Sequence, residues 1–366
     1  MSGLLIALAA GGTGGHVFPA EALAGELMAR GHRLVLFTDR RGKEFGGTLG
    51  SLTTLPIRSG GIAGRGIIQR IGAVFDLAIG FFQARSKLKK LRPAAVVGFG
   101  GYASVPPMLA AIQLGLPSVI HEQNAVLGRA NRLLASRAHM IATSFAETSE
   151  TPEDISRVRH VGMPVRPNVI ALREQPYPAI GESEIKLLVT GGSQGARILS
   201  EVLPKAIAAL PAELRQKLSI VQQCRPEDIE AVREEYAKHS IKAELSQFFP
   251  DLPERLAASH LVICRAGAST MAELAIVGRP AILVPYMHAI DDHQTANAHA
   301  LEAAGGGWLI PQESFTSEIL AARLETLLSS PGTLERAAAC AKAAGRPDAV
   351  TRLADIVLAS AMETRP

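Results

Sequence analysis

Two short stretches carry residue types that could do chemistry. Gly11-Gly12-Thr13-Gly14-Gly15-His16 follows the apolar run 4–10, and Gly191-Gly192-Ser193-Gln194-Gly195-Ala196-Arg197 follows the apolar run 185–190. Each reads as a buried strand, a tight loop and a helix N-terminus. Such a loop brings bare backbone N–H groups and the positive end of a helix dipole up to a phosphate. His16 lies on the first loop, where an imidazole could serve as a general base near neutral pH. A polar loop residue or helix cap is the plain alternative. Glu122, after the strand-like run 117–121, is the second candidate base, and a structural carboxylate is equally open there.

Other candidates sit further along. Thr270-Met271-Ala272-Glu273 matches a capping box, which alone would explain the acid. The alternative for Glu273 is a two-pronged acceptor for ribose hydroxyls. Gln294 and Asn297 stand i, i+3 on a predicted helix and share a face. Amides there suit sugar hydroxyls and suit solvent as well. The dinucleotide fingerprint G-x-G-x-x-G is not met, because Val17 holds its last position. Asp39 ends the second strand, so a dehydrogenase stays open. No G-x-x-x-x-G-K-[ST] occurs, which argues against a P-loop enzyme.

The elements that position these residues repeat as strand then helix. Helical spacing over 20–30 ends at Gly31, and 32–38 reads as a strand. Further strands are predicted at 94–97, 117–121, 140–143, 185–190, 219–222, 243–249, 261–264, 281–284 and 308–310. Alternating βα units predict an α/β fold with parallel sheets covered on both faces. The polar segments 12–16, 100–104, 122–124, 193–197, 265–270 and 288–294 all follow strands, at the sheet ends where α/β proteins bind ligands. Gly162-Met163-Pro164-Val165-Arg166-Pro167 reads as a linker, and 174–184 is rich in Pro, Gly and Glu. The duplicated opening therefore predicts two similar Rossmann-like domains, 1–163 and 164–344, facing each other across a cleft. The helical tail 345–366 is expected to pack back on the first.

Composition narrows the function. At 366 residues the chain suits two domains. Aromatics are only 4%, too few for a stacking surface on single-stranded nucleic acid. The net charge of +4 fits anionic substrates or an anionic membrane surface and is too weak to indicate DNA. Cys224, Cys264 and Cys340 form no disulfide or zinc pattern, which fits a reducing compartment. The first apolar run lacks a basic flank and is read as a strand rather than a signal peptide. No stretch is long and apolar enough to span a bilayer. Over 66–91, Ile67, Ile68, Ile71, Val74, Phe75, Ile79 and Phe82 form one helical face, widened by Leu77 and Phe81. Arg65, Arg70, Arg85, Lys87, Lys89, Lys90 and Arg92 flank it. Burial against the sheet explains part of that face, and docking on an anionic membrane would explain the rest.

With these residues in hand, the chain resembles the MurG family of UDP-N-acetylglucosamine transferases, glycosyltransferase family 28, over nearly its whole length. The carriers are Gly11 through Pro19, Gly98-Phe99-Gly100-Gly101-Tyr102, His121-Glu122-Gln123-Asn124, Gly191 through Arg197, Arg265-Ala266-Gly267-Ala268, and Asp292-His293-Gln294 with Asn297-Ala298. The resemblance implies the GT-B fold and GlcNAc transfer from UDP-GlcNAc to lipid I, making lipid II for peptidoglycan. It implies Thr13, Gly14 and Gly15 near the diphosphate or GlcNAc with Asn124 beside them, and Gly14, Gly15, Gly101 and Tyr102 near the acceptor diphosphate. It implies Arg166 and Ser193 at the donor phosphates and Phe249 offering backbone groups to uracil. Ala268, Ser269, Thr270 and Glu273 would line the donor site, with Glu273 on the ribose and Gln294 and Asn297 on GlcNAc. His16 resembles the family's candidate base. After Tyr102 the chain reads Ala103-Ser104-Val105-Pro106-Pro107, where many relatives continue with a glycine-rich turn. No cofactor or metal is expected. A peripheral place on the cytoplasmic face of the inner membrane is expected, with cell-wall and division proteins as partners and no nucleic acid. The alternatives within the fold are a UDP-GlcNAc 2-epimerase and a diacylglycerol glycosyltransferase. A non-catalytic nucleotide-sugar-binding module is the alternative of another class.

Overall fold

The computed structural model describes residues 3–11, 14–39, 46–60, 67–180, 184–192 and 195–363, with the backbone alone over 67–71. Thr13, Ser193, Arg65 and the side chains of Ile67, Ile68, Arg70 and Ile71 lie outside the described residues. The chain divides into two compact units, Met1–Arg166 with Pro347–Pro366, and Pro167–Arg346.

The first unit is built on a parallel sheet of seven strands. They are β1 (Leu5–Ala9), β2 (Arg33–Thr38), β3 (Thr53–Pro56), β4 (Ala95–Gly98), β5 (Ser118–Glu122), β6 (Met140–Thr143) and β7 (Val158–His160). Their order is β3-β2-β1-β4-β5-β6-β7. Alternation along β1 sends Ile6 and Leu8 to one face, where they pack with Leu23, Leu27, Leu353 and Val357. Ala7 and Ala9 go to the other, with Phe37, Leu88 and Met108. Leu353 and Val357 belong to the final helix, Ala349–Glu363, which is thus part of this unit's core. An Arg30–Asp355 ion pair at 2.6 Å ties that helix to the end of the first.

The second unit repeats the plan with β8 (Ile185–Thr190), β9 (Leu218–Gln223), β10 (Ala243–Ser246), β11 (Leu261–Cys264), β12 (Ala281–Leu283) and β13 (Gly307–Leu309), in the order β10-β9-β8-β11-β12-β13. Both sheets reverse direction of growth beside their first strand, between β1 and β4 and between β8 and β11. A parallel sheet opens a crevice at such a point. The two glycine loops emerge there, one in each unit. The expected α/β class with two Rossmann-like units is what the chain adopts, the GT-B architecture.

The helix Ile67–Leu91 differs from its amphipathic reading. Its fully buried positions are the small residues Ala73, Gly80 and Ala84 together with Leu88. A Cβ on Gly80 would collide with the carbonyl oxygen of Arg58, so only glycine allows the helix this close. Several larger residues face outward. Phe75 and Phe82 are 66% and 67% exposed, and Val74 and Ile79 are exposed beside them. Phe81 is half-buried against the core beside Ala84 and Leu88, while Phe75 and Phe82 stay outside.

Candidate active site

The first loop feeds the helix Gly14–Ala29, which starts six residues before its expected beginning. Pro19 lies inside it, and its missing N–H costs only the bond to Gly15. Gly14 and Gly15 therefore open the helix, where backbone N–H groups lack partners within the helix. His16 is its third residue. Its ring rests against Gly100 and Gly101, which follow β4 with φ of +80° and +69°. A Cβ on either would press to 3.3–3.4 Å of the imidazole or Asn131, so the glycine pair sets how close the ring sits.

His16 Nδ1 lies 2.9 Å from Gln123 Oε1. Gln123 Nε2 lies 3.0 Å from His121 Nδ1 and donates to the His121 carbonyl at 2.9 Å. His121 Nε2 reaches the Gly162 carbonyl at 3.5 Å and Ser144 Oγ at 3.4 Å. His121 is fully buried, and burial pushes its pKa down to about 4, so the ring is neutral. His16 Nε2 has no hydrogen-bond partner among the described residues.

Glu122, the second candidate base, points the other way. Both carboxylate oxygens hold its own loop. Oε1 accepts from the Asn124 backbone at 3.0 Å and its side chain at 3.3 Å. Oε2 accepts from Gly128 N and Asn131 Nδ2, each at 2.8 Å. The residue is buried. Those bonds account for the acid as the tie of the 123–131 loop, and they place Asn124 at the strand end. Tyr102 is half-buried after the glycine pair. Arg166, the last residue of this unit, lays its guanidinium 5.1 Å from the Phe18 ring centroid, two residues along from His16. Asp39 is buried.

The second loop gathers cations. Thr190 Oγ1 donates to Gln223 Oε1 at 2.9 Å and accepts from Gly192 N at 3.3 Å, which holds the turn. Arg225 lies over Gly195, where a Cβ would meet its Cγ at 2.9 Å. Arg265 donates to the carbonyls of Val284 and Pro285 at 3.0 Å each, stacks on Tyr286, and has its pKa lowered by burial. Two helices start here, Arg197–Ala208 after Ala196 and Ala268–Val277 after Gly267, and neither has a side-chain cap. Ser269 Oγ and Arg225 Nε are buried without hydrogen-bond partners among the described residues.

The capping-box reading of Thr270 and Glu273 does not hold. The helix begins at Ala268, three residues too early for Thr270 to be its N-cap. Glu273 is half-buried in the second turn, beyond the reach of a capping role. Gln294 and Asn297 share the helix His293–Ala303, with unlike surroundings. Gln294 is half-buried, and its Oε1 accepts from Tyr286 N at 3.0 Å. Asn297 is fully buried, and its Nδ2 donates to the Ala266 carbonyl at 3.0 Å, which fixes the turn into the helix Ala268–Val277. Phe249 is buried under the Arg255 guanidinium, 4.5 Å from the ring centroid. Arg255 is itself paired with Glu244 at 2.7 Å and Asp251 at 2.8 Å.

Sequence reasoning gave no role to Gln123, His121 or Arg225. Strand alternation was the available signal for the first two, since 121 and 123 point to one side of β5 and its extension while Glu122 points to the other. Nothing local marks Arg225, because its relation to Gly195 spans two strands.

Comparison with known proteins agrees over both units. Residues 6–143 match the Glycosyltransferase family 28 N-terminal domain, and residues 186–353 match the C-terminal domain of the same family. A UDP-N-acetylglucosamine--N-acetylmuramyl-(pentapeptide) pyrophosphoryl-undecaprenol N-acetylglucosamine transferase of Paramagnetospirillum magneticum is 61% identical over 356 residues, 97% of this chain and 96% of the relative. The enzyme of that description from Rhodospirillum rubrum is 61% identical over 359 residues, 98% of this chain and 92% of the relative. Among solved structures, Acinetobacter baumannii MurG superposes with a TM-score of 0.81 at 31% identity, covering 97% of this chain and 99% of that one. A UDP-GlcNAc 2-epimerase from Neisseria meningitidis superposes with a TM-score of 0.67 at 14% identity, covering 97% of this chain and 100% of that one. That last likeness is one of fold alone.

Proposed function

The chain belongs to glycosyltransferase family 28, and from that premise we infer its reaction. It is an N-acetylglucosaminyltransferase of peptidoglycan synthesis that moves GlcNAc from UDP-GlcNAc to the MurNAc 4-hydroxyl of undecaprenyl-diphospho-MurNAc-pentapeptide, lipid I, and makes lipid II. The transfer inverts the anomeric centre. His16 Nε2 takes the proton of the 4-hydroxyl, the oxygen attacks C1 of GlcNAc, and the C1–O bond to UDP breaks with its electron pair leaving on UDP. The observation that carries this reading is the His16 ring, with Nδ1 against Gln123 and Nε2 unpartnered among the described residues. Glu122 holds the loop instead of moving the proton, since its carboxylate is already saturated.

On the donor side, Glu273 accepts from the ribose hydroxyls, and the Phe249 backbone meets uracil. Ala268, Ser269 and Thr270 present the uncapped helix start to the diphosphate, with Arg166 and Ser193 adding to charge stabilisation. Fixed dipoles and cations aimed at developing charge favour the transition state without reorganising. Gln294 holds a GlcNAc hydroxyl, and Asn297 acts by fixing Ala266. Thr13, Gly14, Gly15 and Asn124 complete the sugar side, and Gly101 and Tyr102 face the acceptor diphosphate. The test is UDP release with a lipid I analogue against UDP-GlcNAc and UDP-glucose. Turnover is expected with the first donor and not the second, and failure with the lipid acceptor would overturn the reading.

The protein docks peripherally on the cytoplasmic face of the inner membrane. No helix among the described residues is long and apolar enough to cross a membrane. The exposed Val74, Phe75, Ile79 and Phe82 support docking, with exposed Lys89 and Lys90 at the end of the same helix. Phe75→Ser with Phe82→Ser is expected to abolish flotation with anionic vesicles while leaving turnover on a soluble acceptor unchanged. Undiminished flotation would remove this face as the docking surface.

A further inference from the structure

We propose that Gln123 is a positioning residue that selects the tautomer of His16, locking the proton on Nδ1 and so leaving Nε2 as the lone-pair nitrogen. The proposal rests on the reading of His16 as the base and adds what makes it one.

The His121 carbonyl oxygen only accepts, and Gln123 meets it at 2.9 Å. The amide nitrogen must therefore face it, since the opposite orientation would set two oxygens against each other. The same nitrogen is 3.0 Å from His121 Nδ1. Its two hydrogens are then both committed, one to each acceptor. His121 Nδ1 must be the unprotonated nitrogen of that ring, and its Nε2–H points to the Gly162 carbonyl and Ser144 Oγ. Burial keeps this ring neutral, so Nδ1 stays an acceptor. With the amide orientation fixed, Gln123 presents Oε1 to His16 Nδ1 at 2.9 Å. Two acceptors cannot share that contact, so His16 Nδ1 carries the proton.

The consequence is chemical. A free neutral imidazole favours the proton on Nε2, which would leave the outward nitrogen unable to accept. The chain from Gly162 through His121 and Gln123 reverses that preference. After proton transfer the imidazolium keeps its Nδ1–H bond to Gln123, so the relay does not rearrange during the reaction. Glu122 takes no part, because its carboxylate is turned to the other side and held by its own loop. An amide fits this place where a carboxylate would not, because it supplies two donors to His121 as well as one acceptor to His16.

The test is the ¹⁵N spectrum of histidine-labelled full-length protein near neutral pH, with His16 assigned by its disappearance in His16→Gln. A protonated Nδ1 and an unprotonated Nε2 are expected at His16, and the opposite tautomer would overturn the proposal. Gln123→Met keeps the length and removes the acceptor. It is expected to shift His16 toward Nε2–H and lower kcat by roughly 10- to 100-fold, part of the 10²- to 10⁴-fold that a general base supplies. The KM for UDP-GlcNAc should not move. Wild-type kcat and tautomer in Gln123→Met would overturn the proposal. Should that variant fail to fold, the wild-type spectrum alone decides. Full turnover in His16→Gln would defeat the base reading while leaving the tautomer result standing, so the two failures are distinguishable.

Discussion

Loop 11–16 follows β1 and loop 191–197 follows β8, each between strand and helix, yet the polar groups around them are arranged in opposite ways. Around the first, donors and acceptors pair with one another along a buried line from Gly162 through His121 and Gln123 to His16. Only the last nitrogen of that line is left over among the described residues. Around the second, guanidinium groups and uncapped helix starts gather, and Ser269 Oγ and Arg225 Nε are buried without partners among the described residues. The guanidinium groups there meet acids at the exposed edge, Arg225 with Glu227 at 3.9 Å and Arg197 with Glu201 at 2.7 Å. The same strand–glycine–helix plan thus serves two purposes. Internal saturation fixes a proton's position, and buried donors left without partners are the kind of group an anion would satisfy.

Substitutions on the two sides should separate by kinetic parameter. His16→Ala is expected to lower kcat by about 10²- to 10⁴-fold, the range for a general base. UDP-GlcNAc affinity, read by calorimetry, should stay within a few-fold. Near-normal turnover would break the contrast, because the first loop would then hold no essential base. Next in size is an acid effect confined to the first unit. The unfolded His121 titrates at its ordinary value and the folded one at about 4. Between these values the unfolded chain binds a proton that the folded chain refuses. Stability is therefore fully present above pH 6.5 and falls as the pH drops toward 4, by on the order of 3 kcal/mol in total. Urea melts across that window should show the slope in the wild type and lose this part of it in His121→Leu. An unchanged slope would mean that the buried ring is not its source. Smallest is Glu273→Gln, which removes a charged acceptor and should raise the KM for UDP-GlcNAc by roughly 10- to 100-fold, the worth of a hydrogen bond to a charged group. Its kcat should change little. A kcat loss equal to that of His16→Ala would erase the distinction between the loops.

Particular elements show where sequence reading reaches and where it stops. β6, β8 and β11 fall at the residues their apolar runs mark, because central strands bury both faces and read as unbroken hydrophobic runs. β3 and β7 went unseen. They are the two edges of the first sheet, and their half-polar sequences, Thr53–Pro56 and Val158–His160, have no such run. β10, also an edge, stops at Ser246 and not at 249, where Ser246 Oγ accepts from Phe248 N and donates to the Phe248 carbonyl to turn the chain. The helix Ile67–Leu91 was legible in extent but not in orientation. Periodicity finds the apolar face and cannot tell that smaller residues will win the interior.

The sequence by itself determined the repeated α/β plan, the two glycine loops and the family, because apolar runs, glycines and local motifs are properties of neighbours along the chain. It also put His16 on a helix-entering loop. Only the tertiary structure decided which nitrogen of His16 is outward, that Glu122 is spent on its own loop, that Asn297 braces Ala266, and that Arg225 covers Gly195. Each of those depends on groups from different strands meeting at one sheet end, and hydrogen-bond direction is set only once both partners are in place.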